Sequence, residues 1–302
     1  MKQIISAIDI GSNAIRMILA ESNSGQIRPF KKYRAAVRLG ADVFSQGLIS
    51  EETLRLAEES FIHLVHLNNK YSVNHCRAVA TSATREAKNR LAFVERLEKV
   101  SKLKIEIIDG REEAQLIFSA VKHEVPLENK KVLLIDVGGG SVELTYVENG
   151  LLVASQSLPL GTVRLLEALH KKKMTESHFK VLLGDHLESL NLFIQKNLMG
   201  LNLEFAIGTG GNLECMARLK LEVLKRTPNT YCTLDELDEL SERLLATSTK
   251  DRIEKWHLRP DRADVIVPAV LVVKIILRQC SLQKIITPGV GLRDGILWSM
   301  LK

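Results

Sequence analysis

Residues 134–141 are Leu-Ile-Asp-Val-Gly-Gly-Gly-Ser, and residues 7–13 are Ala-Ile-Asp-Ile-Gly-Ser-Asn. In each stretch an apolar run ends in an aspartate and a glycine-containing turn, and a second apolar run follows directly. This pattern predicts two β-strands joined by a tight loop at both places. Because Asp9 and Asp136 are 127 positions apart (136 − 9), we interpret the two stretches as copies of one structural unit.

The repeat extends further along the chain. Short strands are predicted at residues 77–79 and 205–207, and each runs into a loop of small residues that opens a helix. Thr81 in the first loop and Thr209 in the second are 128 positions apart (209 − 81), which is nearly the same offset. We therefore expect a duplicated α/β fold.

The two copies predict two domains, residues 1–124 and 125–302, and a chain of 302 residues is long enough for both. Segment 213–245 is rich in charged and helix-forming residues and is interrupted only near residues 227–229. We expect this segment to be a helical insertion in the second domain.

Composition excludes several classes of protein. Hydrophobic residues make up 45% of the chain and charged residues 26%, as in ordinary globular proteins, and a formal charge of +6 suits an anionic partner. Aromatic residues, at 5%, are too few for a platform that stacks nucleic-acid bases. The most apolar segment, residues 265–277, is shorter than the roughly 20 residues of a membrane-spanning helix. Four scattered cysteines indicate reduced thiols, so we expect a cytoplasmic protein that binds neither nucleic acid nor membrane.

The two glycine-containing loops carry the chemical signal. Small residues let backbone N–H groups approach an anion closely, so both loops are typical of phosphate binding. An aspartate at the strand end can position a Mg²⁺ ion, which binds one or two carboxylates and keeps several waters. The chain has no Gly-x-x-x-x-Gly-Lys-Ser/Thr sequence, which excludes a P-loop protein. The candidate phosphate-binding residues are Gly11, Ser12 and Asn13 in the first loop and Gly138, Gly139, Gly140 and Ser141 in the second.

Other charged residues allow two interpretations. Glu112 and Glu113 open a predicted helix, where the helix dipole favours carboxylates, and either can also act as a general base toward water. Arg85 is one turn into another predicted helix and is either an exposed arginine or a cation that neutralises phosphate oxygens. Glu143 follows Asp136 by seven positions and is either an ordinary strand residue or part of the site.

The paired loops resemble those of the actin, sugar-kinase and Hsp70 ATPase superfamily. This resemblance implies two ribonuclease H-like domains with an interdomain cleft that both loops face. Within the superfamily, five segments resemble the exopolyphosphatase / guanosine pentaphosphate phosphohydrolase (Ppx/GppA) family, in its short form without a C-terminal helical domain. The segments are Asp9-Ile-Gly-Ser-Asn-Ala-Ile-Arg16, Val79-Ala-Thr-Ser-Ala-Thr-Arg-Glu-Ala87, Gly110-Arg-Glu-Glu-Ala114, Asp136-Val-Gly-Gly-Gly-Ser-Val-Glu-Leu144 and Gly291-Leu-Arg-Asp-Gly295.

The resemblance implies a function and assigns roles. The expected reaction is metal-dependent hydrolysis of a terminal phosphoanhydride bond in inorganic polyphosphate or a guanosine penta/tetraphosphate, by a homodimer. Glu113 is the expected base and Arg85 a phosphate contact. The residues expected to hold Mg²⁺ or its water are Asp136, Glu143 and Asp9, and Thr209 and Gly210 belong to a further phosphate-lining loop.

Two other functions stay open at the level of the sequence. One is an ATP-dependent kinase of the same superfamily, and the other is a non-catalytic protein that binds polyphosphate or a guanosine phosphate. The pair His63 and His66 lacks an evident third metal ligand, and the run of residues 171–173 (Lys-Lys-Lys) is interpreted as a solvated charge cluster.

Overall fold

The computed structural model describes residues 2–184 and 187–301. The chain divides into two compact units: unit 1 comprises Met1–Ala120 and Leu292–Lys302, and unit 2 comprises Val121–Gly291. Up to residue 124 the strands and helices are β1 (Gln3–Ile10), β2 (Ile15–Asn23), β3 (Gln26–Ala35), α1 (Leu39–Gln46), α2 (Glu51–Lys70), β4 (His75–Ala80), α3 (Ser82–Glu86), α4 (Arg90–Ser101), β5 (Ile105–Ile107) and α5 (Gly110–Glu124).

The remaining elements belong to unit 2, except for the last helix. They are β6 (Lys131–Val137), β7 (Val142–Glu148), β8 (Leu151–Leu158), α6 (Thr162–Lys171), a 3₁₀ turn (Glu176–His178), α7 (Phe179–Gly184), α8 (Leu187–Asn197), β9 (Phe205–Thr209), α9 (Gly210–Val223), β10 (Tyr231–Thr233), α10 (Leu234–Leu245), α11 (Thr249–Trp256), α12 (Pro260–Ala263), α13 (Ile266–Gln279), β11 (Lys284–Ile286) and α14 (Leu292–Ser299).

The two sheets confirm the duplication. Unit 1 has the strand order β3-β2-β1-β4-β5, and unit 2 has the order β8-β7-β6-β9-β11 with β10 added at the edge. In both, the first strand pairs antiparallel with the second and parallel with the fourth. The expected duplication of one mixed α/β unit is therefore present.

The turns between the second and third strands have the same geometry in both copies. Ser24 and Gly25 have φ values of 49° and 79°, and Asn149 and Gly150 have 51° and 70°. Positive φ at both central residues is the type I′ arrangement, whose twist matches that of the flanking strands. Both turns carry sequences typical of such hairpins, Asn23-Ser24-Gly25 and Asn149-Gly150.

The segment expected to be helical between residues 213 and 245 also contains a strand. Tyr231–Thr233 pairs antiparallel with β11 at the edge of the second sheet. Three residues are too few for a periodic pattern, so helix and strand could not be told apart there from the sequence.

Helices cover both faces of the unit 1 sheet, which explains why most residues of β1 are apolar. Ile8 and Ile10 face a core that includes Phe61 of α2 and Phe93 of α4. On the opposite face, Ile5 and Ala7 pack with Leu116 of α5 and with Ile296 and Leu297 of α14. Successive residues of a strand point to opposite faces, so a strand buried on both sides is apolar throughout.

The position of α14 differs from the expected division at residue 124. The second domain was expected to extend from 125 to 302, whereas α14 belongs to unit 1. Its residues Ile296 and Leu297 are almost fully buried against the unit 1 sheet. Covering this face removes apolar surface from water, which is why the chain returns to its first unit.

Among the described residues, no helix combines the length and the apolar character that crossing a membrane requires.

The contact between α14 and α5 predicts a strong effect of Gly295→Ala. A Cβ atom at this position would lie 1.9 Å from the backbone oxygen of Leu116 and 2.4 Å from its carbonyl carbon. Because backbone must move, we expect the free energy of unfolding, measured in urea, to fall by about 1–3 kcal/mol. Gly184→Ala is the control, since no atom lies within 4 Å of the added methyl group and alanine is favoured over glycine in helices. Equal stability of the Gly295 variant and the wild type would contradict this packing.

Candidate active site

The two glycine loops are closed by the same hydrogen bond. Gly11 N donates to Ala14 O at 3.1 Å, and Gly138 N donates to Ser141 O at 3.0 Å. A Cβ atom would lie 3.2 Å from that acceptor at Gly11 and 3.0 Å from it at Gly138. Both distances are tighter than ordinary carbon–oxygen contacts, so the turn favours glycine at the donor position.

The first loop is tied to the start of α3. The Oγ atoms of Ser12 and Ser82 lie 2.9 Å apart, and both side chains are buried. Gly40 N donates to Ser12 O at 2.8 Å, and Asn13 beside it is buried as well. The loop residues expected to bind phosphate are thus held in a fixed backbone conformation.

Glu113 and Arg85 meet in unit 1. The Arg85 Nη1 atom lies 3.8 Å from Glu113 Oε2 and donates to Ile108 O at 2.8 Å. Glu113 is only 7% exposed, although it is in the first turn of α5. The carboxylate expected to act as base and the cation expected to bind phosphate are therefore neighbours.

Glu112 has a different environment, which separates the two adjacent glutamates. Its Oε1 accepts a hydrogen bond from Arg77 Nη2 at 2.8 Å, and the side chain is 43% exposed. Arg77 also donates to Glu106 and to Ser299, so this surface network has a structural role. The two adjacent glutamates thus differ in burial and in partners, and the role of Glu113 as the base stays a prediction.

Equivalent positions of the two copies carry different charges. Arg16 is the register partner of Asp9 on β2, and Glu143 is the register partner of Asp136 on β7. Both partners follow their aspartate by seven positions (16 − 9 and 143 − 136). Directly opposed residues of an antiparallel pair share one face of the sheet. Unit 1 therefore presents a carboxylate with a guanidinium, and unit 2 presents two carboxylates.

The carboxylate pair of unit 2 is held by neighbouring hydroxyl groups. Asp136 Oδ1 accepts a hydrogen bond from Thr209 Oγ1 at 2.5 Å, and Glu143 Oε1 accepts one from Ser157 Oγ at 2.8 Å. A Cβ atom at Gly210 would lie 2.8 Å from Asp136 Oδ1, and its φ of 82° also favours glycine. Thr209 and Gly210, which were expected to line phosphate, here position the Asp136 carboxylate.

This carboxylate pair suits a magnesium ion better than Asp9 does. Mg²⁺ binds one or two carboxylates and completes its shell with water and substrate phosphate. No group of three or more His, Cys, Asp or Glu side chains that could hold a metal ion occurs in the part of the chain that the structure describes. Asp9 has the Arg16 guanidinium 3.8 Å away, and a cation there disfavours a second one. We therefore expect the metal at Asp136 and Glu143.

The sequence analysis missed the contribution of α6 to the second loop. The N–H groups of Thr162 and Val163 donate to Gly138 O and Gly139 O at 3.1 and 2.8 Å, and Arg164 Nε donates to Gly140 O at 2.7 Å. All three glycine carbonyl groups are thus bound by the first turn of α6. A Gly-Thr pair at the end of an apolar strand was the available signal for this helix start.

Gly161 makes this contact possible. A Cβ atom at this position would lie 2.1 Å from the carbonyl carbon of Gly140 and 2.4 Å from that of Gly139. Only a residue without a side chain lets the two backbone segments approach so closely.

The histidine pair and the lysine run do not join either site. The rings of His63 and His66 are 6.4 Å apart on α2, and His63 stacks near Tyr33 at 4.7 Å. Residues 171–173 are exposed at the end of α6. None of the four cysteines forms a disulfide in this structure.

Asp9 predicts a pH dependence of stability. Burial raises the pKa of its carboxyl group above the ordinary value of 3.8, while Arg16 and Arg293 act to lower it. The folded protein therefore keeps this proton over a pH range in which the unfolded chain has released it. Within that range the free energy of unfolding falls as pH rises.

We therefore expect Asp9→Asn to be more stable than the wild type at about pH 7, with the difference disappearing toward about pH 3. Urea unfolding at several pH values measures this difference in the free energy of unfolding. For Asp251→Asn we expect the opposite trend, a variant less stable than the wild type at about pH 7, because Lys255 and Ser248 lower the pKa of Asp251. An Asp9 variant without added stability at neutral pH would show that the buried charge is fully compensated.

Comparisons with known proteins extend these observations. The model of the Ppx/GppA phosphatase family matches residues 18–302. Proteins described as guanosine-5'-triphosphate,3'-diphosphate pyrophosphatase, from Aliivibrio fischeri and Photobacterium profundum, are 24% and 23% identical over 302 and 299 residues. These matches include 100% and 99% of this chain, which spans only 60% and 59% of the length of those relatives.

Solved structures give the same result for the fold. An exopolyphosphatase from Cytophaga hutchinsonii superposes with a TM-score of 0.87 and 26% identity, covering 99% of this chain and 98% of that one. A family member from Aquifex aeolicus superposes with a TM-score of 0.77 and 24% identity, covering 100% and 98%. Together with the family match over almost its whole length, these similarities show that the chain belongs to the Ppx/GppA phosphatase family.

Proposed function

We propose that this protein is a phosphohydrolase that releases the terminal phosphate of inorganic polyphosphate or of guanosine pentaphosphate. The observation that carries the proposal is the buried Glu113 carboxylate beside the Arg85 guanidinium, at 3.8 Å. A buried carboxylate next to a cation suits a base that acts on water near a phosphate group. The family membership of the chain supports the same reaction class.

The reaction follows from these groups. A water oxygen attacks the terminal phosphorus, the bridging P–O bond breaks, and the water proton goes to Glu113. The bridging oxygen leaves with the rest of the chain as a phosphate anion. Protein groups contribute mainly position and electrostatic stabilisation in phosphoryl transfer, and Arg85 supplies a cation for the oxygens that gain charge.

Unit 2 contributes anion binding and the metal ligands. The loop of Gly138–Ser141 offers backbone N–H groups, and its carbonyl groups are bound to α6, so the loop needs little reorganisation when phosphate binds. Asp136 and Glu143 would hold Mg²⁺, which neutralises phosphate charge when bound. The first loop, Gly11–Asn13, is proposed to bind phosphate as well.

Inorganic polyphosphate and guanosine pentaphosphate present the same terminal phosphoanhydride, so the proposal includes both substrates. The relatives' names point to guanosine pentaphosphate in two cases and to polyphosphate in one. Phosphate release from both compounds in the presence of Mg²⁺ decides between them. The expected homodimer and the cytoplasmic location stay predictions.

Glu113→Gln tests the base directly. The amide keeps the shape of the side chain but accepts no proton at neutral pH, so we expect kcat for phosphate release to fall by roughly 10²-fold or more. Glu112→Gln is the matched control, since it is the adjacent residue of the same helix turn. It removes a half-exposed ion pair with Arg77, which costs about 1 kcal/mol of stability or less. A Glu113 variant with the turnover of the Glu112 variant would refute the assignment.

Glu143→Gln tests the metal ligands. The variant keeps an oxygen for the hydrogen bond from Ser157 but loses the negative charge. We expect the Mg²⁺ concentration at half-maximal activity to rise about tenfold or more, as is typical when a metal site loses support. Glu148→Gln, on the same strand but bound to Tyr146, should leave that concentration unchanged. An unaltered Mg²⁺ requirement in the Glu143 variant would exclude it as a ligand.

A further inference from the structure

In the part of the chain that the structure describes, four strands lie at sheet edges: β3 and β5 in unit 1, and β10 and β8 in unit 2. The outer side of an edge strand presents backbone N–H and C=O groups that can pair with another chain. β5 and β10 have only three residues each, and such short strands offer little to pair with. β3 is longer, but it contains Pro29 and four cationic residues: Arg28, Lys31, Lys32 and Arg34. Proline and lysine at an edge both oppose pairing.

β8 has none of these protections. Its eight residues, Leu-Leu-Val-Ala-Ser-Gln-Ser-Leu, include no charged residue, no proline and no glycine. Leu151 and Val153 are 65% and 55% exposed. Among the described residues, no strand pairs with the side of β8 that faces away from β7. A long, uncharged and partly apolar edge is typical of a strand that pairs with another chain.

The equivalent strand of unit 1 shows that the fold itself does not require such an edge. The register between β2 and β3 leaves Phe30 without a partner residue, and the register between β7 and β8 leaves Val153 without one. The two bulges are thus at equivalent positions, so they do not distinguish the two edges. The difference lies in the side chains, because β3 carries four cations and a proline and β8 carries neither.

Helix α8 packs against β8 and adds a second exposed surface. Leu190 and Phe193 of this helix are buried, whereas Leu192 is 58% exposed. Glu188 and Lys196, four positions before and after Leu192, are exposed as well. Residues four positions apart lie on the same face of a helix. The order along this face of α8 is therefore acidic, apolar, basic.

This order is complementary to itself when the helix is reversed. A two-fold axis perpendicular to a sheet relates an edge strand to an antiparallel copy of itself and keeps each sheet face on its own side. The helices that flank the paired edge then run antiparallel as well. With the axis close to Leu192, Glu188 lies beside Lys196 of the partner subunit, and the same contact occurs a second time by symmetry. Complementary charges of this kind fix the register of an interface.

We propose that β8 and α8 form the contact surface for a second copy of this chain. The two β8 strands pair antiparallel, so that two unit 2 sheets join into one, and the two α8 helices pack across the axis. Two-fold contacts between identical surfaces are the commonest in soluble oligomers. The proposal does not depend on the proposed function, and it gives the expected homodimer a definite interface.

Sedimentation equilibrium of the whole chain, over a range of protein concentrations, tests this surface. We expect the wild type to form a species of twice the 33.8 kDa of one chain. Val153→Lys places a charge at the paired edge, so we expect the dissociation constant of the dimer to rise by about 10–100-fold. Phe30→Lys is the matched control, because it makes the same kind of change at the equivalent bulge of β3 and should leave the dissociation constant unchanged.

Charge reversal on α8 provides an independent test. Glu188→Lys or Lys196→Glu alone turns both ion pairs between the copies into repulsions, so we expect each to weaken the dimer by roughly tenfold or more. Both reversals together restore the two pairs, and the dissociation constant should return to within about threefold of the wild-type value. Within one copy the two residues are about 12 Å apart along the helix axis, beyond the screening length of about 8 Å at physiological salt. The restoration therefore requires a contact between copies.

The outcomes decide the proposal in either direction. A monomeric wild type overturns it, and so does a dimer that Val153→Lys leaves intact or that Phe30→Lys weakens equally. Single reversals without restoration in the double variant also overturn it, since the two charges then do not face each other. If circular dichroism shows that Val153→Lys is unfolded, the charge reversals alone decide. Weakening by each single reversal with recovery in the double variant supports the proposal, and any other pattern refutes it.

Discussion

The backbone contact between α6 and the second glycine loop is the constraint on which the rest of unit 2 depends. Consecutive glycines lose more conformational entropy on ordering than other residues, so Gly138–Gly140 would be mobile without external support. The first turn of α6 provides this support by binding all three carbonyl groups. The close approach of the two backbones requires Gly161. The start of α6 thereby orders the second glycine loop and does not itself serve as a ligand-binding site.

Duplication followed by divergence explains how one fold supplies two kinds of charge. The turn geometry, the strand order and the closing hydrogen bond are the same in both copies. The residue opposite the strand-end aspartate differs: it is Arg16 in unit 1 and Glu143 in unit 2. One copy thereby presents a carboxylate with a guanidinium at this place and the other presents two carboxylates, on the same pairing of strands.

Much of the fold could be predicted from the sequence, for identifiable reasons, whereas the roles of the site residues stay predictions. The loop positions are encoded by small residues after apolar strands, and Glu113 and Arg85 lie in the segments that carry the family resemblance. The sequence did not predict the support from α6, because backbone carbonyl groups leave no side-chain signature. The location of α14 was missed as well, since a buried apolar helix face does not show which of two similar sheets it covers.

The place of α14 in unit 1 also bears on the order of events during synthesis. Domains generally fold as units while the chain emerges from the ribosome, and the N-terminal domain usually comes first. Here all residues of unit 2 precede Leu292, whereas unit 1 lacks Ile296 and Leu297 until the final stretch has been translated. Until α14 has been translated, this face of the unit 1 sheet is covered only in part, by α5, whereas the residues that form the core of unit 2 have already been made.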